Sequence, residues 1–216
     1  MFQKLLKKQT NKKIFNLIFK FPQIRNYTTP ENTIKEKGRL YDDSEERKIL
    51  DSMIRVNHAG ELGAVTICKG QLSILKDDPI IQEILKEEKL HYETFSKMIS
   101  DRRVRPTIMH PIWNTFGYFI GVGTALMGRE AAMACHKAVE TVISEHYEDQ
   151  LREIYKMEKY SKDTELRKVI RTFRDDEIKH HDLSVENKAE EAPFYQLLHD
   201  TIKIGCHTAI WISKKF

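Results

Sequence analysis

Apolar residues recur at intervals of three and four positions along several stretches of the chain, a spacing that predicts amphipathic helices. We place these helices at about 45–76, 79–100 and 164–190, with a long one that starts within 106–128 and runs past Glu140. No stretch alternates apolar and polar residues as strands do, so the sequence predicts an all-α fold.

Each predicted apolar stripe is interrupted by a glutamate where a helix usually buries leucine. In two helices a histidine follows three positions later, which puts both side chains on the same side of the helix. Glutamate is rarely buried unless it is paired or bound to a cation. Four-helix bundles hold two bridged iron or manganese ions with one Glu from each of two helices and a Glu-x-x-His pair from each of the others. The predicted metal ligands are Glu61, Glu88, His91, Glu140, Glu177 and His180.

The net charge of +4 comes from the N-terminus, because residues 1–30 hold seven Lys or Arg and no acid. This basic segment with scattered apolar residues predicts a mitochondrial presequence at 1–29, although a disordered basic tail would have a similar composition. We predict a linker at 30–44 and one domain at 45–216. The remaining chain is slightly acidic, so the charge gives little support to nucleic-acid binding.

Two segments are apolar beyond what a helix stripe requires, namely 106–128, which has no formal charge, and 193–216, which ends in Trp and Lys. Three interpretations of 106–128 remain open: a helix lying in or on a bilayer, a buried core helix, or a membrane span. The C-terminal segment is typical of a helix at a membrane interface. Three widely spaced cysteines without a Cys-x-x-Cys motif favour reduced thiols.

Five segments resemble the demethoxyubiquinone hydroxylase family in the same order along the chain. They are RVNHAGELGA at 55–64, RVRPT at 103–107, GTALMG at 123–128, AMAC at 132–135 and FRDDEIKHHD at 173–182. The resemblance covers about 47–216 and implies a ferritin-like four-helix bundle with additional hydrophobic, membrane-associated helices.

In that family, a di-iron site hydroxylates the ring of a polyprenyl demethoxyubiquinone with O₂, the penultimate step of ubiquinone (coenzyme Q) biosynthesis. The resemblance implies the same six ligands, with Glu88 and Glu177 bridging two iron ions, and NADH as electron donor. It also implies a peripheral position on the matrix side of the mitochondrial inner membrane and a lipid-binding partner protein. A homo-oligomer is a further expectation.

Three features of the sequence depart from the family pattern. Asn57 stands where Asp is expected, and Ser-Glu precedes His146 and Tyr147 in place of a His-His-Tyr run. Trp211 and Lys215 replace a Tyr and an Arg that are expected to touch NADH in family members. The metal ligands are complete, so these departures concern the electron donor rather than the iron.

Other roles follow from position. Tyr147 and His146 lie two turns beyond Glu140, where they serve either as a proton or electron relay or as ordinary packing. His58, one turn before Glu61, is a candidate hydrogen-bond partner of a ligand carboxylate. His181 and the acids at 175, 176 and 182 are expected on a surface face.

Two other functions use the same bundle. A ferroxidase would need the six ligands but neither apolar segment, and a non-catalytic scaffold of the quinone-synthesis complex would need no buried carboxylates. The complete ligand set and the two apolar segments therefore favour the monooxygenase.

Overall fold

The computed structural model describes residues 44–216, and in that range the protein forms six α-helices, one short 3₁₀ helix and no strand. The all-α prediction is therefore confirmed. The predicted presequence at 1–29, and all of the 30–44 linker except Ser44, lie outside the described residues. In chain order the helices are α1 (Glu45–Ile74), α2 (Pro79–Asp101), α3 (His110–Leu126), α4 (Arg129–Lys156), α5 (Thr164–Glu186), the 3₁₀ helix (Ala189–Glu191) and α6 (Tyr195–Lys215).

Local signals explain where three of these helices begin. Ser44, Asp78 and Asp163 each accept hydrogen bonds from backbone N–H groups in the first turn of α1, α2 and α5. These bonds satisfy donors that a helix start otherwise leaves free. Pro79 occupies the first turn of α2, where its missing N–H costs nothing. The observed starts agree with the predicted ones.

Four helices, α1, α2, α4 and α5, enclose the core. A first cluster, which contains Leu50, Phe95, Leu151 and Ile170, joins all four helices toward one end of the bundle. A second cluster, which contains Cys68, Ile84 and Met133, joins α1, α2 and α4 toward the other end. On each of these helices the predicted metal ligands lie between residues of the two clusters. The apolar packing therefore holds the polar positions at a fixed level of the bundle.

The predicted long third helix is wrong, because it is divided into α3 and α4. Gly128 lies between them with φ of +119°, a backbone conformation that other residues rarely adopt. The sequence pattern shows apolar spacing on both sides of this point but does not show the change of direction.

Glycines allow α3 to pack closely against α1. A Cβ at Gly121 would clash with the carbonyl oxygen of Ile67, and a Cβ at Gly70 would clash with that of Tyr118. Only four residues of α3 are buried, so the alternative of a buried core helix is wrong. Within residues 44–216, none of the helices combines the length and the apolar character that crossing a membrane requires.

Candidate metal centre

The structure brings the six predicted ligands together as two overlapping groups of four. In each group, every residue offers one ligand atom that lies within 4.8 Å of the others. Glu88 and Glu177 belong to both groups. The first group is Glu61, Glu88, His91 and Glu177, and the second is Glu88, Glu140, Glu177 and His180. We call these six residues the metal centre.

The metal centre is closed to solvent, since none of its residues is more than 3% exposed. Four of its atoms have no hydrogen-bond partner among the described residues: Glu88 Oε1, His91 Nδ1, Glu140 Oε1 and Glu177 Oε1. His91 Nδ1 lies 3.1 Å from Glu177 Oε1, but without the alignment of a hydrogen bond. Buried polar atoms without partners are costly. Oxygen and nitrogen donors that converge in this way fit a pair of hard or borderline cations.

The carboxylates of the centre titrate abnormally. Burial, followed by repulsion from Glu177, raises the pKa of Glu88. Burial and the charges of Glu177 and Glu88 likewise raise the pKa of Glu140. Burial would also raise the pKa of Glu177, but a hydrogen bond from His180 and the close contact with the His91 ring outweigh burial and lower that pKa to about 2.

The pKa values of the two histidines of the centre are raised by the neighbouring carboxylates. Burial alone would lower the pKa of His180, but a hydrogen bond to Glu177 and a close contact with the Glu88 carboxylate raise it to about 12. Burial would also lower the pKa of His91, but a hydrogen bond to Asp176 and close contacts with the carboxylates of Glu177 and Glu61 raise it. Without a cation, the centre therefore retains protons to balance its carboxylates.

Two further acids contact the histidines from the side away from the centre. His91 Nε2 donates to Asp176 at 3.3 Å, and His180 Nε2 donates to Glu87 at 2.8 Å. Both rings therefore turn Nδ1 inward, toward the ligand carboxylates. The sequence pattern places Asp176 on a surface face and does not select Glu87. The available signal was an acid directly before each Glu-x-x-His pair.

The other predicted site residues lie close to the centre but differ in their contacts. The Tyr147 hydroxyl donates to Glu61, and the ring is buried against Phe95. His58 contacts no ligand carboxylate. It shares a 3.2 Å hydrogen bond with Ser96 and stacks on Tyr92 at 4.9 Å.

His146 also bonds away from the metal centre. Its Nε2 accepts a 2.8 Å hydrogen bond from Gln150, a residue that the sequence reasoning did not select.

A cavity of about 540 Å³ leads to the centre and ends at Glu61, Glu88, Glu140 and Glu177. Its walls come from α1, α3, α4 and α6 and are mainly apolar. Trp113 of α3 lines it and donates a 3.0 Å hydrogen bond to Ser213 of α6. The two apolar segments of the sequence therefore form walls of one channel that reaches the carboxylates.

Trp211 and Lys215, the predicted contacts of the electron donor, lie near the end of α6. The Lys215 ammonium is 4.0 Å from the centre of the Trp211 ring, and neither residue lines the cavity. The Trp211 side chain is exposed. This pair is accessible but separate from the channel.

Comparisons with known proteins identify the family to which the sequence is similar. Residues 48–213 match the family described as "Ubiquinone biosynthesis protein COQ7". A Dictyostelium discoideum protein is 45% identical over 202 residues, which cover 89% of this chain and 92% of that protein. A human protein is 43% identical over 178 residues, covering 80% and 81%. Both are named "NADPH-dependent 3-demethoxyubiquinone 3-hydroxylase, mitochondrial".

A bacterial protein from Rhodospirillum rubrum is 39% identical over 183 residues, covering 83% of this chain and 84% of its own. It is named "3-demethoxyubiquinol 3-hydroxylase". The resemblance noted in the five sequence segments is thus confirmed over most of the chain. The chain belongs to the ubiquinone biosynthesis protein COQ7 family, whose relatives cited above are named as hydroxylases.

Proposed function

We propose that this protein is a di-iron monooxygenase with a ferritin-like bundle that hydroxylates the ring of a polyprenyl demethoxyubiquinone in ubiquinone biosynthesis. One observation carries the proposal: two ligand groups share Glu88 and Glu177 at the inner end of an apolar cavity. The names of the relatives, which specify demethoxyubiquinone or its quinol, support the same substrate class.

The six residues of the metal centre would hold two iron ions, one in each group. Four carboxylates balance the charge of two divalent cations, which removes the repulsion that raises the pKa values of Glu88 and Glu140. Oxygen donors with one imidazole per metal suit iron or manganese better than a thiolate site does. Iron, when bound there, supplies the electrons that activate O₂.

Neighbouring residues would orient the ligands. Asp176 and Glu87 hold the outer nitrogens of His91 and His180, which keeps Nδ1 free of a proton once a cation is bound. The hydrogen bond from Tyr147 fixes one oxygen of Glu61. These contacts preorganise the centre before a metal arrives.

The cavity would bind the quinone ring and exclude water from it. Its volume of about 540 Å³ suits a ring with a short part of the tail. The rest of a polyprenyl tail would leave past α3 and α6, whose outer faces are also apolar. Exposed apolar side chains on these two helices include Phe116, Phe119, Leu197, Ile204 and Trp211.

The electron donor in this proposal is a reduced nicotinamide nucleotide. The resemblance implied NADH, whereas relatives are named as NADPH-dependent, so both nucleotides belong in the assay. The exposed Trp211 and Lys215 pair is the proposed contact.

The test is hydroxylation of a short-tailed demethoxyquinone by iron-loaded protein under ¹⁸O₂, with NADH and NADPH in separate reactions. Mass spectrometry should find a product containing one ¹⁸O atom. Glu177→Ala should abolish that product, because it removes a residue shared by both ligand groups. Glu186→Ala is the matched control, since Glu186 is an exposed glutamate on the same helix.

Two results would contradict the proposal. Product formation by Glu177→Ala at the wild-type rate would remove the metal centre from the reaction. Rapid oxidation of ferrous iron without a quinone product, even with a lipid-binding partner protein added, would favour a ferroxidase.

We also propose that the outer faces of α3 and α6 contact the surface of the mitochondrial inner membrane. Phe119→Ser should weaken co-sedimentation with phosphatidylcholine–cardiolipin vesicles, because Phe119 is 66% exposed on α3. Leu90→Ser, which changes a residue on α2 that is 59% exposed, should leave co-sedimentation unchanged. Equal losses from both variants would count against a specific membrane face.

A further inference from the structure

The mainly apolar cavity is also lined by polar side chains outside the metal centre, among them Asn57 of α1 and His146 of α4. Gln150 lies behind them and joins them through hydrogen bonds. Asn57 and Gln150 are only 3% and 4% exposed. Buried polar groups in folded proteins are almost always hydrogen-bonded. The pattern of these bonds therefore shows which atoms of the three side chains donate and which accept.

The hydrogen bonds between the two amides are reciprocal. Asn57 Nδ2 donates to Gln150 Oε1 at 2.9 Å, and Gln150 Nε2 donates to Asn57 Oδ1 at 2.7 Å. Gln150 Nε2 also donates to His146 Nε2 at 2.8 Å. Both amide hydrogens and the amide oxygen of Gln150 are therefore engaged. In this arrangement, His146 Nε2 is an acceptor.

The proton of a neutral His146 ring must then reside on Nδ1. His146 Nδ1 has no hydrogen-bond partner among residues 44–216. It is also absent from the fully buried polar atoms of the protein, so a ligand can reach it. Burial, aided by the positive charge of Lys214, lowers the pKa of His146 to about 4, so the ring is neutral near pH 7. His146 thus offers one uncharged N–H donor from a residue that lines the cavity.

The position of His146 in the cavity suits a side chain that orients the quinone ring of the proposed substrate. The imidazole of His146 lies 6.4 Å, centre to centre, from the ring of Tyr147, whose hydroxyl bonds to Glu61. A quinone oxygen bonded at His146 would lie near the carboxylates without touching them. Ring oxygens accept hydrogen bonds in both the quinone and the quinol.

We infer that His146 donates a hydrogen bond from Nδ1 to a ring oxygen of the substrate, and that Gln150, held by Asn57, is the positioning residue that selects this tautomer. The substrate part of this inference rests on the proposed function. The tautomer part stands on the hydrogen bonds alone.

The first test needs no quinone. The ¹⁵N spectrum of the full chain labelled at histidine, with zinc added as a diamagnetic ion, should show His146 protonated on Nδ1. The signal is assigned by its loss in His146→Phe. Gln150→Met should shift the ring toward protonation on Nε2, whereas Gln82→Met, an exposed glutamine on α2, should not. Protonation on Nε2 in the unaltered protein would overturn the inference.

The second test measures the Kd of a short-tailed demethoxyquinone. Gln150→Met and His146→Phe should each weaken binding by about 3–10-fold, the effect of one neutral hydrogen bond. The double variant should lose no more than either single one, because both changes remove the same bond. The unaltered affinity in either single variant, or fully additive losses, would overturn the inference.

A third variant guards against misfolding. Gln150→Met leaves the Asn57 amide without its partner, so Asn57→Leu combined with Gln150→Met replaces both buried amides by apolar groups. It should fold and show the same loss of binding. If the unaltered protein binds no quinone, both the proposed function and the substrate part of this inference are wrong. The tautomer part is then judged by the ¹⁵N spectrum alone.

Discussion

At the scale of single residues, the clearest case is the acid that precedes each Glu-x-x-His pair. Asp176 bonds to His91 of α2, and Glu87 bonds to His180 of α5, so each acid serves the histidine of the other helix. Such partners fix the tautomer of a ligating imidazole and raise its basicity. A partly exposed acid on one helix can therefore set the tautomer of a buried histidine on another helix.

Asp176→Asn should weaken binding of iron or manganese by about 10–100-fold, because the amide does not stabilise the ligating form of His91 as a carboxylate does. A metal titration measures the affinity. Asp175→Asn is the control, since Asp175 is exposed and pairs with its neighbour Arg174 rather than with a histidine of the metal centre. Equal affinity in the two variants would show that the contact with His91 does not affect the metal.

At the scale of helices, close packing of α1 against α3 sets the width of the cavity. Glycines at the crossing let the two backbones approach, which places Trp113, Phe116 and Ile120 of α3 along the channel wall. Gly128 then turns the chain into α4. A single straight helix through this point could not supply both the channel wall and the carboxylate at Glu140.

Gly121→Ala should lower Tm, because its Cβ would clash with the Ile67 backbone and push α3 away from α1. Overpacking of this kind costs about 1–3 kcal/mol, and each kcal/mol shifts Tm by about 2–4 °C in a domain of this size. Gly123→Ala on the same helix meets no neighbour within 4 Å and should keep or raise Tm. Thermal melting of both proteins is the measurement. Identical curves would contradict the tight crossing.

At the scale of the whole molecule, the buried charges of the metal centre affect both metal binding and the stability of the fold. The apolar clusters on either side hold the carboxylates in place even though the carboxylates repel one another. In the metal-free protein this repulsion is relieved by bound protons. A cation replaces those protons, so metal binding is coupled to both pH and folding.

The stabilisation by Mn²⁺ should therefore be larger at pH 8.5 than at pH 7.0. The pKa values of Glu88, Glu140, His91 and His180 are raised in the metal-free fold, so their protons are lost more easily on unfolding. Stability of the metal-free protein then falls as pH rises, by about 1.4 kcal/mol per pH unit for each extra proton held. The stability of the metal-bound protein should not fall in this way, because its ligands are already deprotonated in the folded state.

Melting curves with and without Mn²⁺ at the two pH values measure the effect. The range avoids titration of His58 and His146, whose pKa values are lowered to about 4 by burial and, in turn, by the charges of His110 and Lys214. These histidines are neutral in the folded state across this range and mostly neutral in the unfolded state. An increase in Tm that is the same at both pH values would contradict proton release by the metal centre.

The sequence by itself determined where three of the helices lie and which buried side chains are candidate metal ligands. The spacing of apolar residues predicted α1, α2 and α5 nearly to their ends, and capping residues such as Asp78 and Asp163 explain why. Glu-x-x-His on an apolar stripe places both side chains on one face of a helix, a consequence of helical geometry alone. The four glutamates could be selected because a buried carboxylate requires a partner.

Only the tertiary structure decided which residues of different helices meet. Gln150 owes its contact with Asn57 to the packing of helices, and no local pattern distinguishes it from a surface residue. The same holds for His58, which packs on Tyr92 instead of reaching a ligand. The break at Gly128 depends on one backbone angle, to which the periodicity of side chains is insensitive. Helix geometry is local and visible in sequence, whereas contacts between helices depend on packing across the whole core.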